Sequence, residues 1–389
     1  MIAKILASKI FHSPDNAIST QPGLCPTVKS PAKSSCSRCK EFCPFNSIKL
    51  GAKVEVKENC TDCGLCITAC PNGVFDSAKE TDTDIIERAL QYLSTEKTTT
   101  SGFLCSMVKN KKNAVRLECL GRLNENILLT LLSKGTEVFR FKMGECERCA
   151  LKVGKQLFDE TLSLTRGIVQ ALGYNEMVFQ EVEESGVCGK NIGINNHYDE
   201  HVSRRDFFKK LTATVLFEIS DVFDKAYNST VTPKKEVANF KREKLIHILK
   251  TFNSVKNEFA NEQKTCFPFA RLQIDNSCIG CDVCQYLCPT SAIKKREDDS
   301  FVSLSFLYQQ CTNCKICEIA CLTNAIELEE VFDYEELIKQ EEKEVIRLKK
   351  CICKRCRQVF SAKEGELCPF CSKGYDKYGT GTTLAGSGL

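Results

Sequence analysis

"CIGCDVCQYLCPTSAI", Cys278 to Ile293, places four cysteines in sixteen residues at gaps of two, two and three, with a proline after the last. The pattern returns three times. Cys311, Cys314, Cys317 and Cys321 precede Leu322; Cys60, Cys63, Cys66 and Cys70 precede Pro71; Cys36, Cys39 and Cys43 precede Pro44. The residues after each fourth position rhyme as "CPTSAI", "CLTNAI", "CPNGVF" and "CPFNSI". Cysteines this close are poor disulfide partners and good metal ligands. A tight loop with two-residue gaps aims three thiolates at three irons of one cube, and the fourth iron needs a sulfur from elsewhere. The bland alternative is zinc in Cys₄ sites. Zinc takes two separated knuckles rather than three sulfurs per loop, which disfavours it for these runs.

The chain has 389 residues and 27 cysteines, enough length for two to four domains. Secreted disulfide scaffolds are usually short, so bunched cysteines in a long chain point to metal or cluster ligation in a reducing, cytoplasmic setting. The start, "MIAKILASKIFHSPDNAIS", has a short apolar stretch without a small-residue cleavage site and is read as helix or strand, not a signal peptide. No run reaches eighteen apolar residues, so no membrane span is expected. The formal charge of +4 counts every cysteine as a neutral thiol. Four [4Fe–4S]²⁺ cubes with their thiolates carry about −2 each and would bring the total to about −4. The apparent basicity is therefore no argument for nucleic acid.

These runs resemble the bacterial two-cluster ferredoxin domain. The resemblance implies that the fourth cysteine of each run crosses to the other cluster of its pair. One C-terminal cluster then takes Cys278, Cys281, Cys284 and Cys321, and its neighbour Cys311, Cys314, Cys317 and Cys288. Near the N-terminus one cluster takes Cys60, Cys63, Cys66 and Cys43. The last takes Cys36, Cys39 and Cys70 and lacks a fourth ligand, because the pattern's position holds Lys33. Cys25 fills the gap if "PTVKSPAK" loops out; a three-iron cluster is the alternative.

Between the runs, "TDTDIIERALQYL", "NENILLTLLSKG" and "GKQLFDETLSLTRGIVQALGY" read as helices. "GFLC", "AVRLEC", "TEVFRFKMGEC" and "EMVFQEVEE" read as strands. Alternation implies a parallel sheet. Cys105, Cys119 and Cys146 each follow a predicted strand, and such ends share one edge, where ligands bind. Cys149 comes three residues later. The four form a candidate cluster site; the competing reading makes Cys105 and Cys119 small buried hydrophobes. The stretch "FLC…ECLGRLNENILLTLLSKGTEVFRFKMGECERC" resembles the small iron–sulfur (delta) subunit of methyl-viologen-reducing hydrogenases. That resemblance implies a [2Fe–2S] cluster and electron passage between a hydrogenase and a heterodisulfide reductase. Here Leu120 separates Cys119 from Gly121, and "GECERC" is shorter than the family's loop. Cys188 is a further candidate ligand, with a plain thiol as its alternative.

"SRRDFFKKL", Ser203–Leu211, resembles a twin-arginine export signal but lies mid-chain, and is read as a helix capped by Ser203. "KREKLIHILKTFNSVKNEF" reads as an amphipathic helix with a basic outer face. "EEVFDYEELIKQEEKEVIRLKK" reads as a charged helix. Cys353, Cys356, Cys368 and Cys371 form two paired knuckles, similar to a zinc ribbon or a shortened one-iron rubredoxin, while Cys351 is spare. No Walker A run and no Cys-x₃-Cys-x₂-Cys run occurs, and none of the four histidines sits in a catalytic setting. No substrate chemistry of the chain's own is visible.

The expected architecture is multi-domain α+β. A dicluster ferredoxin domain spans 21–80, a central α/β parallel-sheet domain 81–200, a helical connector 201–265 and a second dicluster domain 266–330. A charged helix at 331–350, a zinc-ribbon-like knuckle at 351–374 and a flexible tail at 375–389 follow. The expected cofactors are four [4Fe–4S] clusters, a [2Fe–2S] cluster in the central domain, and zinc or one iron at the knuckle. The expected role is polyferredoxin-like relay of single electrons to or from a partner, a hydrogenase, molybdenum oxidoreductase or disulfide-reductase-like subunit. Alternatives are a subunit inside such an enzyme complex, and an iron–sulfur sensor or assembly factor.

Overall fold

A cysteine loop is too short to make its own core, so strands must close around it. In the computed structural model, residues 18–34, 36–109, 114–173, 179–183, 239–252, 258–260 and 267–372 are described. All belong to one unit made of Met1–Cys188 and Val237–Leu389; a second unit, Gly189–Glu236, lies outside them. So do residues 1–17, the Ser203–Leu211 helix expected from sequence, Cys188 and the tail.

The N-terminal segment pairs β1 (Ile18–Thr20) antiparallel with β4 (Phe75–Ser77), and β2 (Ile48–Leu50) with β3 (Val54–Val56). Helices α1 (Pro26–Lys29), α2 (Arg38–Glu41) and α3 (Leu65–Ala69) lie between the strands. Ile18, Leu24, Ile48, Val54, Ile67, Val74 and Phe75 form its core with Cys25, Cys39 and Cys70.

The central segment begins at α4 (Asp82–Glu96), whose Thr81–Asp84 capping box satisfies both N-terminal donors. β5 (Thr100–Cys105), β6 (Val115–Leu117), β7 (Val138–Met143) and β8 (Phe179–Glu183) form an all-parallel sheet in the order β6-β5-β7-β8. Buried runs such as "SGFLC" in β5 are typical of a parallel sheet covered on both faces. Phe103, Phe139, Phe141, Phe158 and Phe179 stack through its core. α5 (Glu125–Ser133) starts on the Asn124 side chain, and α6 (Val153–Ala171) follows the cysteines of the β7 loop.

α7 (Phe240–Leu249) is capped by Asn239 and packs on α5. It ends at Leu249, and β9 (Glu258–Ala260) follows where the sequence reading continues the helix. Nor is its basic face wholly outward, since Arg242 is buried. The second cysteine segment repeats the plan of the first. β10 (Arg271–Ile274) pairs with β13 (Ile326–Glu329), and β11 (Ile293–Glu297) with β12 (Phe301–Leu307), around α8 (Val283–Leu287) and α9 (Ile316–Ala320). Its core is continuous with α6 and α7 through Ile168, Val169, Leu245, Leu249, Phe269 and Phe332.

The single charged helix expected at 331–350 does not form. β14 (Val331–Asp333) pairs with β9, and α10 (Tyr334–Lys339) stops where Gln340 takes φ 55°. Glu342–Ile352 is then β15, paired along β12. Its Ile346 and Leu348 are buried two residues apart, so period-two burial on an open sheet edge overrides helix propensity. β16 (Val359–Ala362) completes the sheet β11-β12-β15-β16 and leads to α11 (Pro369–Ser372). The knuckle is thus an extension of this sheet. No described helix is long and apolar enough to cross a membrane.

Candidate metal centres

The local backbone of each run explains the rhyme after its fourth cysteine. Three residues beyond that cysteine stand Asn46, Gly73, Ser291 and Asn324, all left-handed, with φ 49°, 66°, 57° and 54°. Asn, Gly and Ser are residue types that tolerate or favour such turns. The turn aims the next amide back at sulfur: Ser47 N–H donates to Cys43 Sγ, Ala292 N–H to Cys288 Sγ and Ala325 N–H to Cys321 Sγ, each at 3.2 Å. A second left-handed position precedes the second cysteine of three runs, at Asp62, Gly280 and Asn313. Gly280 N–H and Asn313 N–H donate to Cys278 Sγ and Cys311 Sγ at 3.5 and 3.4 Å. These donors favour thiolate over thiol. The sequence signal was present in the rhyme, but its purpose shows only in three dimensions.

The expected ligands converge in five open quartets. Cys25, Cys36, Cys39 and Cys70 line a cavity of about 320 Å³. "PTVKSPAK" folds into α1 and a turn, which brings Cys25 past the position of Lys33. Cys66 lies within electrostatic reach of Cys43, Cys60 and Cys63, Cys284 of Cys278, Cys281 and Cys321, and Cys317 of Cys288, Cys311 and Cys314. In the centre, Cys105, Cys119, Cys146 and Cys149 line a cavity of about 370 Å³ at the C-terminal edge of the parallel sheet. There Gly144, Gly121 and Leu151 donate N–H groups to Cys105, Cys119 and Cys149 Sγ at 3.3, 3.4 and 3.3 Å. Cysteines that only filled a core would not need three such donors.

Burial is the largest cause of shift in several of these thiols. Burial pushes Cys70 and Cys311 up to about 11, and Cys119 and Cys284 up to about 12. Such groups become a set of thiolates only around a strongly cationic body.

Sulfur spacing separates two kinds of site. The Sγ atoms of Cys353, Cys356, Cys368 and Cys371 all lie within 4.8 Å of one another, with Cys356 and Cys368 at 3.8 Å. That is roughly the edge of a tetrahedron with metal–sulfur bonds of about 2.3 Å, so this quartet fits one ion. Cys368 N–H donates to Cys353 Sγ at 3.3 Å. Among the described residues no other three cysteines crowd so closely. The other cysteine groups are less crowded, and two of them line cavities, which fits polynuclear clusters instead.

The cysteine groups also neighbour one another. Cys63 and Cys119 pack on the same apolar group, Phe42, Leu65, Ala69 and Leu157, which joins the central quartet to that of Cys43. The charge of Cys39 reaches Cys66, that of Cys36 reaches Cys314, and that of Cys284 reaches Cys317. The central cysteines thus neighbour the Cys43 group, that group the Cys25 group, the Cys25 group the Cys288 group, and the Cys288 group the Cys278 group. At the third step the two cysteine segments meet, where Thr312 and Asn72 side chains hydrogen-bond across the junction while buried.

Residues 54–76 match the family model of the 4Fe-4S binding domain. The matched span holds Cys60, Cys63, Cys66 and Cys70 and supports an iron–sulfur electron-transfer role. No curated protein matches the chain. Sequence reasoning missed Lys241 and Arg242 at the junction and Arg122 beside Gly64. Lys241 and Arg242 belong to no motif and only their burial marks them, whereas Arg122 closes the Cys119–Gly121 turn already quoted.

Proposed function

We propose that the chain is a polyferredoxin-like relay of single electrons. Two dicluster ferredoxin domains would hold four [4Fe–4S] clusters, on Cys25, Cys36, Cys39 and Cys70; Cys43, Cys60, Cys63 and Cys66; Cys288, Cys311, Cys314 and Cys317; and Cys278, Cys281, Cys284 and Cys321. The central parallel-sheet domain would hold a fifth, [2Fe–2S] by its resemblance, on Cys105, Cys119, Cys146 and Cys149. Cys353, Cys356, Cys368 and Cys371 would hold zinc. The observation that carries the reading is the match of residues 54–76 to the 4Fe-4S binding domain, beside cysteine-lined cavities at Cys25, Cys36, Cys39 and Cys70 and at Cys105, Cys119, Cys146 and Cys149.

A bound iron–sulfur cluster supplies a one-electron couple. The protein's part is to hold it by thiolates, keep water away with buried apolar side chains, and set its potential through N–H donors and fixed charges. The donor or acceptor would be another redox protein: a hydrogenase, a molybdenum oxidoreductase or a disulfide-reductase-like subunit, in the cytoplasm. The exposed Ile319 and Leu322 lie beside Cys317 and Cys321.

The test is anaerobic purification followed by iron, sulfide and zinc counting and electron paramagnetic resonance. The reading expects sixteen or more irons in cubane-type clusters, near-stoichiometric zinc and no turnover by the chain alone. Colourless oxygen-free protein with zinc on all its sulfurs would refute it.

A further inference from the structure

Two interior clusters, each with four thiolates, would place about two negative charges on each side of a dry junction. A structure that keeps them there needs buried cations, and α7 supplies two in succession. Lys241 is 11 % exposed at its side chain. Its ammonium donates to Ile67, Thr68 and Cys70 carbonyls at 3.4, 3.1 and 3.3 Å. It is held in place by close packing, since a Cβ on Gly73 would lie 3.0 Å from Lys241 Cβ and 2.9 Å from Asn239 Oδ1. Arg242 points to the other segment. It is 5 % exposed, donates to the Pro268 and Cys311 carbonyls, and lies 4.5 Å above the Phe269 ring.

The charge balance at this junction leaves an excess cation. Glu125 is 3.5 Å from Lys241 and also acts on Arg242. Arg242 makes no ion pair among the described residues, and its buried Nη1 has no hydrogen-bond partner among them. By contrast Arg122, the buried arginine beside Gly64, is matched by Asp82 at 2.8 Å. One carboxylate for two cations leaves one positive charge to act on both neighbouring quartets.

We propose that Lys241 and Arg242 set the reduction potentials of the two interior clusters, Lys241 that of the cluster on Cys25, Cys36, Cys39 and Cys70, and Arg242 that of the cluster on Cys288, Cys311, Cys314 and Cys317. The proposal rests on the iron–sulfur reading above. A cluster that gains an electron becomes more negative, so a fixed cation beside it stabilises the reduced form and raises the potential. The two are positioning residues: they touch ligand backbones, not electron donors or acceptors. Because they are adjacent on one helix turn, a single element holds both interior potentials up together.

Redox titration of the full anaerobic protein, followed by electron paramagnetic resonance, tests this. Lys241→Met keeps the stem and removes the charge. It is expected to retain the wild-type iron and sulfide content and to shift one midpoint to lower potential. Lys241→Arg is expected to restore that midpoint. Arg242→Met is expected to lower a different one; should that variant precipitate, the Lys241 pair decides. Full iron in Lys241→Met with every midpoint unmoved overturns the proposal, as does an equal fall in Lys241→Arg. Wild-type protein without iron overturns the iron–sulfur reading itself, and is visible before any variant is made.

Discussion

Gly154→Ala is the sharpest test of the central quartet. Gly154 is the second residue of α6 and has ordinary helical backbone, so an alanine there brings no backbone strain. Its Cβ would lie 2.4 Å from Cys119 Sγ and 3.3 Å from a Leu65 methyl. Leu65 can yield a few tenths of an ångström. Cys119 cannot, because a carbon–sulfur contact is comfortable only about 1 Å further out. Its sulfur can retreat only by turning about χ1, away from the Gly121 N–H that it accepts at 3.4 Å. Overpacking of this kind costs about 1–3 kcal/mol. If Cys119 is a ligand, a displacement of ~1 Å exceeds what a metal–thiolate bond tolerates. The expected outcome is loss of one cluster's iron and spectroscopic signal, with the cubane signals retained. Gly135→Ala is the control. Nothing lies within 4 Å of its Cβ, but φ is 97°, so it should lower Tm through strain of about 1 kcal/mol and leave iron unchanged. Wild-type iron and spectra in Gly154→Ala would show that Cys119 packs as a small hydrophobe and holds no cluster.

Four other outcomes are expected. Cys25→Ser should convert one cube to a three-iron cluster, seen as a signal in the oxidised protein, because three cysteines of that quartet remain. Cys281→Ser should abolish the intact outer C-terminal cube, with a fall in iron, and leave the N-terminal pair, and unchanged iron would contradict the ligand set. Cys356→Ser should abolish the single zinc and leave iron intact, since its quartet is the crowded one. Removing one partner of the Arg122–Asp82 pair, side chains 3 % and 15 % exposed, should cost about 3–5 kcal/mol in denaturant unfolding. Burial pushes the Asp82 carboxyl up, but Arg122 and Asn124 outweigh it and hold it below the usual carboxylate range. The contribution is therefore fully present above the unfolded value of about 3.9 and is lost only as pH falls through the lower folded value. The Asp82→Asn penalty should stay flat from about pH 8 to about pH 5; a penalty that shrinks in that window would contradict the pairing.

Much of the site could be read in one dimension, because the features concerned are local. Gaps of two and three residues bind successive sulfurs into one loop whatever surrounds it. The capping signals at Thr81 and Asn124 and the strand ends before Cys105, Cys119 and Cys146 are likewise properties of a few neighbouring residues. Where the reading failed, a distant partner decided. "EKEVIRLKKCI" carries helix-forming residues, yet β12 offered it an unpaired edge and a buried face for Ile346 and Leu348. "KREKLIHILKTFNSVKNEF" read equally as a helix spanning between domains or as one with a solvated basic face, and only the second cysteine segment closing over Arg242 decided between them.

The sequence by itself determined that this protein carries cysteines in cluster spacing, that a parallel sheet lies between them and that two paired cysteine knuckles follow. Those are matters of short-range geometry along the chain. Only the tertiary structure decided that Cys25 lines one cavity with Cys36, Cys39 and Cys70, and that Lys241 and Arg242 sit against the Cys70 and Cys311 carbonyls of the two cysteine segments. Such facts depend on segments up to 240 residues apart, as with Asn72 and Thr312, brought together by burial of a shared core. Long-range packing carries no periodicity in the chain, so no local pattern announces it.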